Sequence, residues 1–218
     1  STSKLRLAAN TTIPTGDRTI NSLTLHGATT VSFTGTTLDT LTLTSGGLLA
    51  GSDAQNRVIG ATTNANTRGR ITSSASEFFI HNGANTLTIH SAITGTTNPV
   101  FTSGGTSGGA TIRLTNANTY VGSAFSNGVI LLLDNQTGGG AVITGDLTLT
   151  GGNTSGTETG SVANSTVRNL GAHQIADTAV VTVRGGTAWD LNGFNETVTR
   201  VVFNSQGGIT AGSAITTF

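Results

Sequence analysis

The chain has 218 residues, ten acidic and ten basic side chains and a formal net charge of zero, so it can bury one substantial core and does not require a second domain. Charged residues make up only 9% of the sequence and form no basic cluster, which excludes nucleic acid as a partner because phosphate binding relies on many Lys and Arg contacts. The absence of cysteine excludes a disulfide framework and a thiolate metal site.

A short phrase, in which two apolar residues flank one Thr or Arg, recurs six times along the chain. Strict alternation of this kind predicts half-buried strands, because successive side chains of a strand point to opposite faces. The apolar members are the predicted core stack: Leu23, Leu25, Leu41, Leu43, Leu87, Ile89, Ile112, Leu114, Leu147, Leu149, Val181 and Val183. The central members are predicted to point outward in one shared ladder: Thr24, Thr42, Thr88, Arg113, Thr148 and Thr182.

Further apolar segments between these phrases predict additional strands. In chain order they are Thr30 to Phe33, Phe78 to His81, Val129 to Leu133, Val142 to Thr144, Ala188 to Leu191 and Val198 to Phe203. Strong helix formers gather in no window of useful length, and the best candidate for a helical turn, Asn169 to Asp177, is short and weak. The longest apolar run, Val129 to Leu133, is far shorter than the ~20 residues of a membrane-spanning helix, so we expect no transmembrane segment.

The spacing of the strands indicates how they assemble. Successive core strands lie roughly 16 to 25 residues apart, within the range of solenoid repeats, and Gly-Gly or Asn-Gly pairs mark the corners. The unequal loops and the few aromatic residues favour a parallel coil over antiparallel hairpins. The prediction is an all-β parallel β-helix of roughly nine to ten rungs with little or no helix. We expect a single solenoid domain over residues 1–218, either as a whole subunit or as a processed segment of a longer repeat protein.

Two segments carry a resemblance to a known family. The sequence IADTAVVTVRGGTAWDLNGFNETV (175–198) resembles the autotransporter-associated β-strand repeats, and so does GATIRLTNANTYVG (109–122) together with the apolar strand 129–133. Residues 20–95 resemble the family more loosely. The resemblance implies a right-handed parallel β-helix in a secreted or surface-displayed bacterial protein. Because the family has no shared catalytic residues, it implies none here.

The acidic and histidine side chains form no catalytic pattern, so the sequence predicts a protein that is not an enzyme. The acidic residues lie mainly beside turns, and although neighbouring rungs could bring Asp134 and Asp146 together, turn roles are favoured for both. His26 and His90 follow equivalent phrases, yet an intervening strand keeps them too far apart for one metal ion. We therefore expect no catalytic residue, no metal site and no cofactor.

Two functions follow from these patterns. The first is a non-catalytic, extracellular or cell-surface structural solenoid that forms a stalk, surface layer or filament, with uncapped ends that stack on further copies or on neighbouring repeats. The alternative is an adhesin-type binding module, like an autotransporter passenger, that recognises glycan or surface protein through its lateral face or through loops at 51–76 and 151–176. Tyr120 and Trp189 are the non-Phe aromatic candidates for glycan binding, although a core or packed edge position is favoured for Trp189.

Overall fold

The computed structural model describes residues 3–62, 64–103, 110–151, 165–204 and 208–210. Within these ranges it is almost entirely β-structure, with one helix of a single turn, α1 (Ala65–Arg68). The first strands are β1 (Lys4–Leu7), β2 (Thr11–Ile13), β3 (Arg18–Leu25), β4 (Thr30–Phe33), β5 (Thr40–Ala50), β6 (Arg57–Ile59), β7 (Arg70–Ser73), β8 (Glu77–Asn82), β9 (Thr86–Ile89), β10 (Ala92–Gly95) and β11 (Asn98–Ser103). The remaining strands are β12 (Thr111–Leu114), β13 (Thr119–Tyr120), β14 (Ala124–Asn127), β15 (Ile130–Leu133), β16 (Leu147–Thr150), β17 (Ser165–Asn169), β18 (Val180–Arg184), β19 (Thr187–Asp190), β20 (Arg200–Asn204) and β21 (Gly208–Thr210).

The strands wind as a parallel β-helix with three faces. Face 1 contains the first halves of the long strands β3 and β5, followed by β7, β10 and β13. Face 2 contains β1, the second halves of β3 and β5, and then β8, β11, β14, β16, β18 and β20. Face 3 is the nine-stranded sheet β2-β4-β6-β9-β12-β15-β17-β19-β21. Nine rungs are therefore visible on face 3 in the described part of the chain, and the rungs from β3 to β15 each pass from face 1 through face 2 to face 3.

The interior of the coil is filled by alternate side chains of every strand. All twelve residues of the predicted core stack are buried, with no more than 3% of any of them exposed, and one apolar cluster runs from Ile13 to Leu191. Parallel registers place Leu87 beside Ile112 and Ile112 beside Leu131, so like side chains stack from rung to rung. Each such buried aliphatic side chain contributes about 1.5–3 kcal/mol relative to an exposed one.

The additional strands were predicted with uneven success. The segment 30–33 is β4, and 78–81, 129–133, 188–191 and 198–203 overlap β8, β15, β19 and β20. The segment 142–144 contributes only an isolated bridge from Ile143 to Ile175. The helical turn predicted for 169–177 is wrong: residue 169 ends β17, and the following segment is a series of bends whose backbone bonds go to neighbouring rungs.

The one helix formed where a recognition loop was expected. In 51–76 the chain instead contains β6, α1 and β7, so this stretch is largely part of the coil. Asn64 begins α1 as an N-cap: its side chain accepts a hydrogen bond from the backbone N–H of Thr67, and the Thr67 hydroxyl accepts one from the N–H of Asn64. Within the other expected loop, 151–176, residues 152–164 lie outside the described residues. No helix in the described ranges is long and apolar enough to cross a membrane.

Candidate functional site

The outward Thr and Arg side chains do not form the single ladder that the sequence suggested. Thr148 and Thr182 are neighbours on face 2, and Thr88 and Arg113 are neighbours on face 3. Thr24 lies on face 2 beside Leu49, and Thr42 lies on face 1 beside Thr72. The expectation of one shared register is wrong because each rung contains three strands, and the repeated phrase falls on different faces in different rungs.

The side chains considered for catalysis or metal binding each contact a different partner and do not come together in one site. The carboxylate of Asp134 pairs with the guanidinium of Arg113, and that of Asp146 accepts a hydrogen bond from the N–H of Val180 at 2.8 Å. His90 lies on face 3, where its Nδ1 is 2.6 Å from the hydroxyl of Thr115. No group of three potential ligands among the described residues is placed to bind a metal ion.

Face 2 carries a row of outward apolar side chains, which we call the middle-face strip: Leu49, Phe79, Val100 and Phe125. The registers place Phe79 beside Val100 and Val100 beside Phe125, so these three occupy one ladder in successive rungs. Leu49 is one rung earlier, on the adjacent ladder. Leu49 is 42% exposed and Phe79 is 44% exposed, while Phe125 is half-buried and Val100 is largely covered between the two rings.

Polar side chains run along both sides of the middle-face strip. On one side His81, Thr102 and Asn127 form a ladder, in which Nδ1 of His81 is 2.9 Å from the hydroxyl of Thr102. On the other side the Oδ1 of Asn98 accepts a hydrogen bond of 2.9 Å from the N–H of Ser123. Burial lowers the pKa of His81 below its ordinary 6.5, so this side chain is neutral at pH 7. The middle-face strip is therefore an apolar surface, which we call the floor, flanked on both sides by hydrogen-bonding side chains, which we call its margins.

The two ends of the coil leave inward-facing positions uncovered. Leu5 is 39% exposed although its register partner Leu23 is 1% exposed, and Phe203 is 52% exposed although its partner Val183 is fully buried. A cavity of about 180 Å³ opens at the N-terminal end. It is lined by Leu5, Leu7, Thr11, Thr12, Ile13, Pro14, Arg18, Ile20, Leu23, Val31 and Leu41. The apolar interior is therefore accessible at this end of the coil.

A separate open cleft of about 460 Å³ lies where face 1 loses its regular strands after β13. Its walls are Asn135, residues 138–141 and residues 172–177. Asn135 holds the walls together, because its backbone N–H donates to Oε1 of Gln174 at 2.7 Å and its side chain donates to the carbonyl of Gly140 at 2.6 Å. Asp177 is the only carboxylate among the described lining residues, so the cleft contains no carboxylate pair of the kind that glycoside hydrolysis uses.

Behind the wall of this cleft lies a buried polar network centred on Glu196, which is 4% exposed. Its Oε2 accepts hydrogen bonds from Nδ2 of Asn169 and the backbone N–H of Gln174, each at 2.7 Å. Nε1 of Trp189 donates to Oδ1 of Asn169 at 3.2 Å. Burial raises the pKa of Glu196 above its ordinary 4.5, with the N–H donors opposing that rise. The carboxyl group is not among the residues that line the cleft and instead fixes the position of its wall.

The aromatic candidates named from sequence are both in the interior. Tyr120 is 2% exposed and Trp189 is 1% exposed, and burial raises the pKa of Tyr120 to about 12. The exposed ring of Phe79 and the half-buried, outward ring of Phe125 were missed. The outward position of one phenylalanine could have been predicted from the sequence. Phe78 and Phe79 are adjacent in a strand, and because two adjacent strand residues face opposite sides, one of the two must point outward.

Comparison with known proteins leaves the family open. No family model, curated protein or solved structure matches the chain. The resemblance to autotransporter-associated repeats therefore stays a prediction from the sequence.

Proposed function

We propose that this protein is a non-catalytic structural element outside the cell, in which copies of the β-solenoid stack end to end into a stalk, surface layer or filament. The observation that carries the proposal is the exposure of Leu5 and Phe203, two inward-facing apolar positions on the outermost described strands of face 2. Placing β20 of one copy against β1 of the next would bury both side chains as the interior rungs bury theirs.

The backbone at the two ends supports the same contact. Among the described strands, β1 pairs only with β3 and β20 pairs only with β18, so each presents an outer edge of N–H and C=O groups. An unpaired edge is a template for another strand. Because the two edges belong to opposite ends of the molecule, the contact is heterologous and produces an open filament where the rotation does not close.

Charge selects one register for this contact. If Phe203 lay beside Leu7, Arg200 would lie directly beside Lys4, and like charges directly opposite one another are destabilising. If Phe203 lies beside Leu5, Asn204 faces Arg6 and this repulsion is removed. The second register is the one we propose.

Sedimentation velocity over a range of protein concentrations, with electron microscopy of the same samples, tests the stacking. We expect wild-type protein to form rods that lengthen with concentration and Leu5→Lys to remain monomeric. The matched control is Leu38→Lys, since Leu38 is 38% exposed but lies in the loop before β5 and does not line the N-terminal cavity. Wild-type protein that stays monomeric at high concentration, or equal assembly by the Leu5 and Leu38 variants, would overturn the proposal.

Cross-linking tests the register, and the chain is suited to it because it contains no native cysteine. Arg6→Cys combined with Asn204→Cys should form intermolecular disulfides under mild oxidation, because the proposed register brings these positions to adjacent strands. Arg6→Cys combined with Val202→Cys is the control and tests the other register; both pairs keep Lys4 and Arg200. A disulfide ladder from the control pair alone would show that the assigned register is wrong.

A further inference from the structure

The middle-face strip has a composition that the fold does not require. On the same outward ladder, the rungs after Phe125 carry Thr148 and Thr182, and these strands pair as regularly as the ones before. Exposed phenyl and leucyl side chains lose the free energy that burial would give them. The stability of the coil therefore does not explain why these side chains are concentrated on neighbouring rungs of one face.

The size of the strip argues against a protein partner. The exposed parts of Leu49, Phe79 and Phe125 add to an area on the order of 200 Å², since a whole aromatic side chain presents about 150–250 Å². A specific protein–protein interface needs about 800 Å² on each partner. A narrow ligand suits this area, whereas a second copy of the chain packed side by side does not.

The shape of the strip matches a sugar chain. Phe79 and Phe125 are two rungs apart on one ladder, which puts their backbones about 10 Å apart along the coil axis. This distance is comparable to the length of a disaccharide. A sugar ring has an apolar C–H face and a rim of hydroxyl groups, and the strip offers a phenyl floor with amide, hydroxyl and imidazole groups at its margins.

The charge of the strip restricts the kind of sugar chain. The Phe79–Val100–Phe125 ladder and its neighbour His81–Thr102–Asn127 contain no Lys, Arg, Asp or Glu. Glu77, two residues before Phe79, lies at the outer margin and would repel acidic groups. We propose that the middle-face strip binds an uncharged polysaccharide that runs along the coil axis, with a sugar ring stacked on each of Phe79 and Phe125.

Affinity electrophoresis through native gels that contain hydroxyethyl cellulose, glucomannan or a soluble β-1,3-glucan tests the assignment. All proteins carry Leu5→Lys, so that end-to-end assembly does not contribute. We expect at least one of these polysaccharides to retard the parent protein, Phe79→Ala or Phe125→Ala to weaken binding about tenfold, and the double variant to lose it. Phe194→Ala is the matched control, because Phe194 is 37% exposed and lies off the strip. Fluorescence of the buried Trp189 verifies folding.

A second variant tests the direction of the bound chain. Thr148 is the next residue on the ladder after Phe125, so Thr148→Phe should extend the floor and strengthen binding of longer oligosaccharides more than of disaccharides.

The proposal is overturned if none of the three polysaccharides retards the parent protein, if the double variant binds equally well, or if heparin alone binds. It is also overturned if Phe79→Ala lowers the sedimentation coefficient without polysaccharide, which would assign the strip to self-association.

Discussion

Two corners of the coil each bury an ionisable side chain, and they surround it with different partners. Arg57, in the third rung, is fully buried and pairs with the carboxylate of Asp53, which is 39% exposed. Although desolvation acts to raise the pKa of Asp53, the N–H of Gly27 and the Arg57 guanidinium outweigh it and hold that pKa below 3.8. This corner keeps a full ion pair because one partner remains in contact with water.

The corner at Glu196 has no such partner among the described residues. Its carboxyl receives N–H donors from Asn169, Gln174 and Ile175, and its Oε1 has no hydrogen-bond partner in the described part of the chain. Burial therefore raises its pKa and favours the neutral form. The comparison shows that this coil buries a guanidinium whose charged partner reaches the surface, whereas its buried carboxyl without a charged partner among the described residues has a raised pKa.

Removal of the Arg57 side chain should cause the largest loss of stability. Arg57→Ala leaves a cavity next to Leu87 and frees the carbonyls of Asp53 and Gln55, so we expect a loss of about 2–5 kcal/mol in the free energy of unfolding. Urea denaturation measures it. Arg57→Met is the control, since an apolar side chain of similar length continues the Leu87 stack and should restore most of the loss. Equal destabilisation by both variants would show that the charge itself is required.

Truncation of Asn169 should have the next largest effect on stability, because its side-chain amide connects Trp189 to Glu196. Asn169→Ala leaves Nε1 of Trp189 and Oε2 of Glu196 each without one hydrogen bond, which we expect to cost about 1–3 kcal/mol. Urea denaturation with Trp189 fluorescence reports the free energy and the environment of the indole together. Asn204→Ala, at an exposed position, should change stability by less than about 0.5 kcal/mol. A similar small change for Asn169→Ala would contradict the network.

A pH dependence of stability should follow from Glu196. Its folded-state pKa is raised above 4.5, so the stability it contributes is fully present below pH 4.5 and is lost as the pH rises through the raised value. Glu196→Gln mimics the neutral acid and removes this dependence. We expect the melting temperature of wild type relative to Glu196→Gln to fall between pH 4 and pH 8. Parallel melting curves over this range would contradict a raised pKa.

The smallest effect is expected from an exposed ion pair on the strands next to the Glu196 corner. Arg168 and Asp190 form a hydrogen bond of 2.6 Å on face 3, but the Arg168 side chain is 48% exposed. Arg168→Ala should therefore lose only about 0–1 kcal/mol, and 0.5 M NaCl should diminish the difference from wild type. A larger, salt-independent loss would mean that the guanidinium acts through packing.

The interior of the coil could be predicted well from the sequence. The twelve apolar members of the repeated phrase are all buried, because a period of two fixes which side of a strand each residue faces. The expectation of roughly nine to ten rungs agrees with the nine strands of face 3 in the described ranges. These properties are local, so alternation and spacing are sufficient to predict them.

The candidate surfaces could not be predicted in the same way. Alternation indicates that Thr24, Thr42 and Thr88 point outward, but not that they lie on different faces, because the corners between strands decide which face receives each phrase. The alignment of Phe79 with Val100 and Phe125 depends on registers between strands 21 and 25 residues apart. Glu196 meets Asn169 across one rung, and nothing in either local sequence indicates that contact.

The sequence by itself determined that this chain forms a parallel coil and which side chains fill it, because those properties follow from the alternation and spacing of its strands. The tertiary structure alone decided which outward residues become neighbours, where polar groups enter the interior, and that Leu5 and Phe203 are exposed on the outermost described strands of face 2. The physical reason is that a solenoid builds its surface from contacts between successive rungs. Each such contact joins residues about twenty or more positions apart, beyond the reach of any local pattern.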